Sequence, residues 1–131
     1  MIQPVSIDHL VLVVRDVERS ADFYVGVLGM RRVDHADRID LHFGEAKLTL
    51  CPLPAVPRPT PAVLAPGSAD LCLQVAGDAR SLARELGAAG VVPIAGPAER
   101  VGAVGPVVST YVADPDGNLV ELAVRPRGPT G

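Results

Sequence analysis

The sequence predicts an α+β fold built from two tandem βαβββ modules. Two observations carry that prediction: a pattern of strands and one helix that occurs twice, and a constant offset of 61 residues between matching positions of the two occurrences. His9 falls on Asp70, Gly26 on Gly87 and Gly29 on Gly90, so strand, helix and terminating glycine keep step. A chain of 131 residues is long enough to bury a core and is read as one domain, with module 1 at 5–53, a connector at 54–67, module 2 at 68–126 and a tail at 127–131.

In the first module, IDHLVLVV at 7–14 is apolar and β-branched and reads as a strand. Asp16 is an N-cap for the helix that follows, in which Val17, Ala21, Tyr24, Val25 and Leu28 recur at helical spacing until Gly29 ends it. Short strands are expected near 30–35, 38–43 and 47–53. The second module repeats the order: a strand at 69–75, Asp78 as N-cap, a helix ending at Gly90, and strands near 91–94, 107–113 and 118–124. Between the modules, PLPAVPRPTPAVLAPGS at 52–68 holds six prolines in seventeen residues and can be neither helix nor central strand. The stretch 94–107, IAGPAERVGAVGPV, reads as a long Gly-rich loop, the kind that closes over a ligand.

Composition excludes several functions. A net charge of -3 with no basic run argues against nucleic acid. No apolar stretch approaches the roughly 20 residues of a membrane span, and MIQPVSIDHL lacks the charged lead of a secretory signal, so a cytoplasmic location is expected. The two cysteines, Cys51 and Cys72, lie in apolar runs and read as small buried hydrophobes.

Three polar groups stand out because each is alone in an apolar strand: His9 in IDHLVLVV, Asp70 in SADLCLQV and Glu121 in NLVELAV. Unpaired charge is costly in such surroundings, which suggests that they meet. Arg100 has the planar fork that clamps a carboxylate or phosphate, and Ser109 shares a strand face with Tyr111. His35 and His42, among Asp34, Asp37, Asp40 and Arg38, read as a charged surface hairpin without a role.

The duplicated order, HLVLVVRDVERSADFYVGVLGM near the start and DPDGNLVEL near the end resemble the vicinal oxygen chelate superfamily, which includes glyoxalase I, extradiol dioxygenases, and bleomycin- and fosfomycin-resistance proteins. PTP before PGSADLC, and GPAERVGAVGP before DPDGNLVEL, are similar to a subgroup of small glyoxalase-domain proteins, some of them virulence-associated. The resemblance spans residues 5–126. It implies modules that form a curved mixed sheet around a cleft, a homodimer, and a metal held by the first and last strands of each module. Carried over, the metal ligands are His9, Asp70 and Glu121, with Thr49 in Glu121's place in the first module; Thr49 joins Arg100 and Ser109, named above for their own chemistry, as substrate-binding candidates. Cys51 joins them, standing where the subgroup often has a histidine. Tyr111, ten residues before Glu121, has the spacing of an acid/base tyrosine in extradiol enzymes, and Glu121 shares the catalytic assignment.

Asp70 replaces a histidine common in those enzymes, so the implied set is one histidine and two carboxylates. Such a set suits Fe, Mn, Ni or Mg, with Zn if Cys51 joins. The implied function is a metal-dependent glyoxalase- or dioxygenase-like reaction on a small oxygen-rich molecule, by bidentate coordination. The alternative is a metal-free protein that binds a small molecule such as an antibiotic.

Overall fold

The computed structural model describes residues 1–54 and 59–126 and divides into two compact units, Met1–Gly67 and Ser68–Gly131. The first contains β1 (His9–Val14), α1 (Val17–Gly26), β2 (Arg31–Asp34), β3 (Ile39–Phe43) and β4 (Ala46–Pro52). The second contains β5 (Asp70–Gln74), α2 (Ala79–Ala88), β6 (Ala95–Gly102), β7 (Gly105–Ala113) and β8 (Leu119–Val124). The tandem βαβββ order is therefore the observed one. Part of the predicted connector, 55–58, and the tail, 127–131, lie outside the described residues.

Each unit has its own four-stranded mixed sheet. In the first the order is β1-β4-β3-β2, and in the second β5-β8-β7-β6, so the last strand of each module lies beside the first and parallel to it. The registers also repeat. Val11 lies opposite Thr49 as Cys72 lies opposite Glu121, and Asp40 pairs with Thr49 as Tyr111 pairs with Glu121.

Both helices start where a carboxylate can accept free backbone N–H groups. Asp16 accepts from Arg19 N at 3.1 Å, and Asp78 accepts from Ser81 N at 2.8 Å while the Ser81 hydroxyl oxygen accepts from Asp78 N at 3.2 Å. The chain leaves α1 through Gly29, at φ 70°, and α2 through Gly90, at φ 74°, a backbone conformation that glycine adopts at little cost. One face of each sheet packs on its helix. Leu12, Val14, Leu41, Leu48 and Leu50 with Ala21 and Tyr24 form the first core, and Leu82 and Leu86 with Val112, Val120, Leu122 and Val124 form the second. Strand alternation turns the remaining residues of each sheet to its other, open face.

The stretch 94–107, expected as a loop, is mostly strand: β6 runs antiparallel to β7 and turns back at 103–104, with a register irregularity between Ala95 and Ala98. Gly96, at φ 92°, packs so tightly on Ser109 O that a Cβ there would collide with it. Glycine and proline masked this strand in the sequence. Among the described residues no helix is long and apolar enough to cross a membrane.

Candidate functional site

The motif DPDGN fixes the site's frame in the second unit. Buried Asp114 accepts from Asp116 N and Asn118 N, both at 2.9 Å, and from Asn118 Nδ2 at 2.8 Å. Asn118 Oδ1 in turn accepts Ala69 N at 2.9 Å, which ties the start of β5 to the β7–β8 turn. That tie sets the register in which Cys72 faces Glu121, with Asp70 two residues away on the same face.

On this open face the side chains form connected groups. Ser109, fully buried, donates its hydroxyl to Glu121 Oε2 at 2.6 Å. Glu121 is only partly buried. Cys72 is exposed, contrary to the expected buried hydrophobe, and its thiol is pushed up by partial desolvation, by the Glu121 charge and hydrogen bond, and by Asp70. Arg100 lies on β6 rather than in a loop. Its Nε donates to the Tyr111 hydroxyl at 3.2 Å, and its guanidinium sits 5.9 Å from the centre of the Tyr111 ring. The β6–β7 hairpin and the sheet together enclose an open hollow of about 320 Å³, with Cys72, Gln74, Val107, Glu121 and Arg125 among its walls.

In the first unit, half-exposed His9 holds its Nδ1 2.8 Å from Asp8 Oδ1. Thr49 does not face an open cleft; it donates to Asp40 Oδ1 at 2.7 Å. Asp40 itself is 1 % exposed, so the hairpin read as a charged surface feature has a sealed centre. Burial alone would raise its carboxyl. The hydrogen bonds from Lys47 Nζ at 2.9 Å and from Thr49, with the charges of Lys47 and Arg38, win and hold it far below the usual carboxylate range. His35 Nε2 adds a contact at 3.1 Å. The sequence did carry a signal for this, because Asp40 alternates with buried Ile39 and Leu41. Cys51 is buried, its thiol pushed up by desolvation, and with Val11, Val13, Pro59, Pro61 and Leu64 it borders a small hollow of about 100 Å³.

The donors differ in how well they suit a metal. Glu121 is oriented by Ser109 and His9 by Asp8, the outer partners a ligand needs. Yet no group of three or more His, Cys, Asp or Glu residues converges as a metal site among the described residues.

The family model for the Glyoxalase/Bleomycin resistance protein/Dioxygenase superfamily matches residues 6–122, and the chain belongs to that superfamily. It is 41 % identical over 123 residues to virulence protein STM3117 of Salmonella typhimurium, covering 89 % of this chain and 82 % of that protein. The crystal structure of STM3117 superposes with a TM-score of 0.92 at 37 % identity, over 95 % of this chain and 100 % of the other. Glyoxalase domain-containing protein RDO1 of Mycosarcoma maydis is 40 % identical over 119 residues, 90 % of this chain and 67 % of its own length. An integron cassette protein from the mobile metagenome of V. cholerae matches with a TM-score of 0.91 at 37 % identity, over 96 % and 99 % of the two chains.

Proposed function

We propose that the chain is a small-molecule enzyme of its superfamily that works with a divalent metal, with His9, Asp70 and Glu121 as the donors. The observation that carries this reading is Glu121. A carboxylate in an otherwise apolar strand stands at the wall of an open hollow, held by a buried serine and, among the described residues, with no cation recorded within hydrogen-bonding reach. One histidine and two carboxylates form a hard donor set, suited to Fe, Mn, Ni or Mg more than to a thiolate-seeking ion. When bound, such an ion polarises adjacent oxygens of a substrate.

The protein's own groups supply the rest. Arg100 donates to the Tyr111 oxygen, which leaves the phenol's proton free to be given to a substrate and places a positive charge where the phenolate would form. Ser109 fixes which Glu121 oxygen faces inward. The same reading takes the protein as a cytoplasmic homodimer acting on a small oxygen-rich molecule.

Elemental analysis of protein purified without a metal-affinity tag tests the assignment. About one divalent ion per chain is expected, lost in Glu121→Gln; a metal-free native protein, or equal metal in the variant, overturns it.

A second reading has its own observation. No three donors converge among the described residues, while Val101, Val104, Val107 and Ala123 give the hollow an apolar lining. Both features suit a metal-free binding protein, and the acidic balance suits a cationic antibiotic. Saturable heat from a cationic antibiotic added to metal-free protein, unchanged by restoring metal, selects this reading.

A further inference from the structure

We propose that the open face of the first unit's sheet binds an oxyanion, a carboxylate or phosphoryl group on a small molecule, through a row formed by Arg31, His42 and Lys47 and ending at His9. The register places these residues side by side across four strands: Arg31 opposite His42, His42 opposite Lys47, and Lys47 opposite His9. Neighbouring strands lie about 4.8 Å apart, so the row spans roughly 14 Å.

Contacts fix which face the row occupies. Lys47 and Thr49 both reach Asp40, which sets them on the open face of β3 and β4, and alternation puts His42 there too. Arg32 reaches Glu18 on α1 at 2.7 Å and so marks the helix side of β2, leaving Arg31 on the open side. Leu41 and Leu48, between these residues in sequence, are buried against the helix.

The row is positive and partly uncommitted. Neither Arg31 nor His42 has a recorded hydrogen bond or ion pair within the described residues. Lys47 has three donors and gives one to Asp40. Asp40, the carboxylate that Lys47 contacts, is already satisfied by Lys47, Thr49, Arg38 and His35, so its charge is neutralised within its own cluster. Asp8 faces His9 at one end, and Glu45 stands in the adjoining turn.

The guanidinium fork of Arg31 matches the two oxygens of a carboxylate or phosphoryl group. The His42 ring offers one N–H donor in its neutral form. Because the row ends on His9, a proposed metal donor, the oxyanion belongs to the substrate of the proposed site; that link rests on the functional reading above, while anion binding by the row does not.

The test uses metal-free, full-length protein at constant ionic strength, titrated with inorganic phosphate and, separately, with malonate while the imidazole signals are followed by NMR. A saturable shift of the His42 signal is expected with one or both probes and none with chloride. Affinity should fall about tenfold or more in Arg31→Gln, since a charge-assisted bond is lost. A response to phosphate alone identifies a phosphoryl group, and one to malonate alone identifies a carboxylate. Absence of a saturable shift with both probes, or equal affinity in a folded Arg31→Gln, overturns the proposal. Amide shifts in His42→Asn provide a second check, and binding retained there at full strength also overturns it. Failure of the metal reading shows in elemental analysis and leaves this titration unaffected.

Discussion

Replacing Asp40 with Asn removes one negative charge from a sealed cluster while keeping nearly the same shape. The Thr49 bond at 2.7 Å can survive, because the amide oxygen still accepts. What is lost is the charge assistance to Lys47 at 2.9 Å and to Arg38 at 3.3 Å. Bonds to a charged group contribute about 1.5–3 kcal/mol each, but the Lys47 and Arg38 side chains are 22 % and 38 % exposed and can recover water. The expected net loss is about 2–3 kcal/mol at pH 7, or roughly 10 °C in Tm for a chain of this size. Urea unfolding followed by circular dichroism measures it, with an unchanged m value as the check that only stability moved.

The pH dependence sharpens the test. Asp40 has a folded pKa below its unfolded one, so its stabilisation is complete above the ordinary carboxylate value near 4 and is lost as pH falls through the folded value. The gap between parent and variant should therefore stay constant from pH 7 to about pH 4 and narrow below. A variant within about 0.5 kcal/mol of the parent at pH 7, or a gap unaffected by acid, would refute the reasoning.

Two further outcomes follow from the second unit. Asn118→Ala should cost about 2–3 kcal/mol, since it leaves Ala69 N and Asp114 short of a partner in a buried turn, and hydrogen exchange at the start of β5 should accelerate. An unaltered exchange rate there would mean the tie does not hold β5. Iodoacetamide should label exposed Cys72 and spare buried Cys51 in the native protein. Labelling of Cys72 at pH 8 should be slower than that of a free thiol, because desolvation and the Glu121 charge disfavour the thiolate, and it should speed up in Glu121→Gln. A slower Glu121→Gln reaction would contradict that electrostatic account.

Much of the fold was legible because duplication converts a weak local pattern into a repeated one. The helix caps at Asp16 and Asp78 and the glycines at 29 and 90 were readable from chemistry that acts within one turn. β6 was not, since Gly96, Pro97 and Gly102 look like loop punctuation, and the partner that makes this segment a strand is β7. Cys72 and Asp40 were misjudged for one reason. Each was read from the company it keeps in sequence, while alternation in DLCLQ and IDLHF puts the cysteine beside Glu121 and the aspartate beside Thr49. The grouping of Ser109 with Glu121, and of Arg100 with Tyr111, depends on cross-strand register, which one strand alone does not encode. The row through Arg31 and His42 was missed because its members come from four different strands and align only once the sheet is paired.

The repeated register gives the two halves of the chain different occupations. At equivalent positions the first unit carries Asp40 and Thr49, closed on each other, and the second carries Tyr111, bonded to Arg100, and Glu121, at the wall of a hollow. The Asp40–Thr49 pair thus acts as ballast for its own sheet, while at the matching pair Glu121 is left on display beside the hollow. Substitutions at one pair of positions should register in a melting curve, and at the matching pair in a ligand assay.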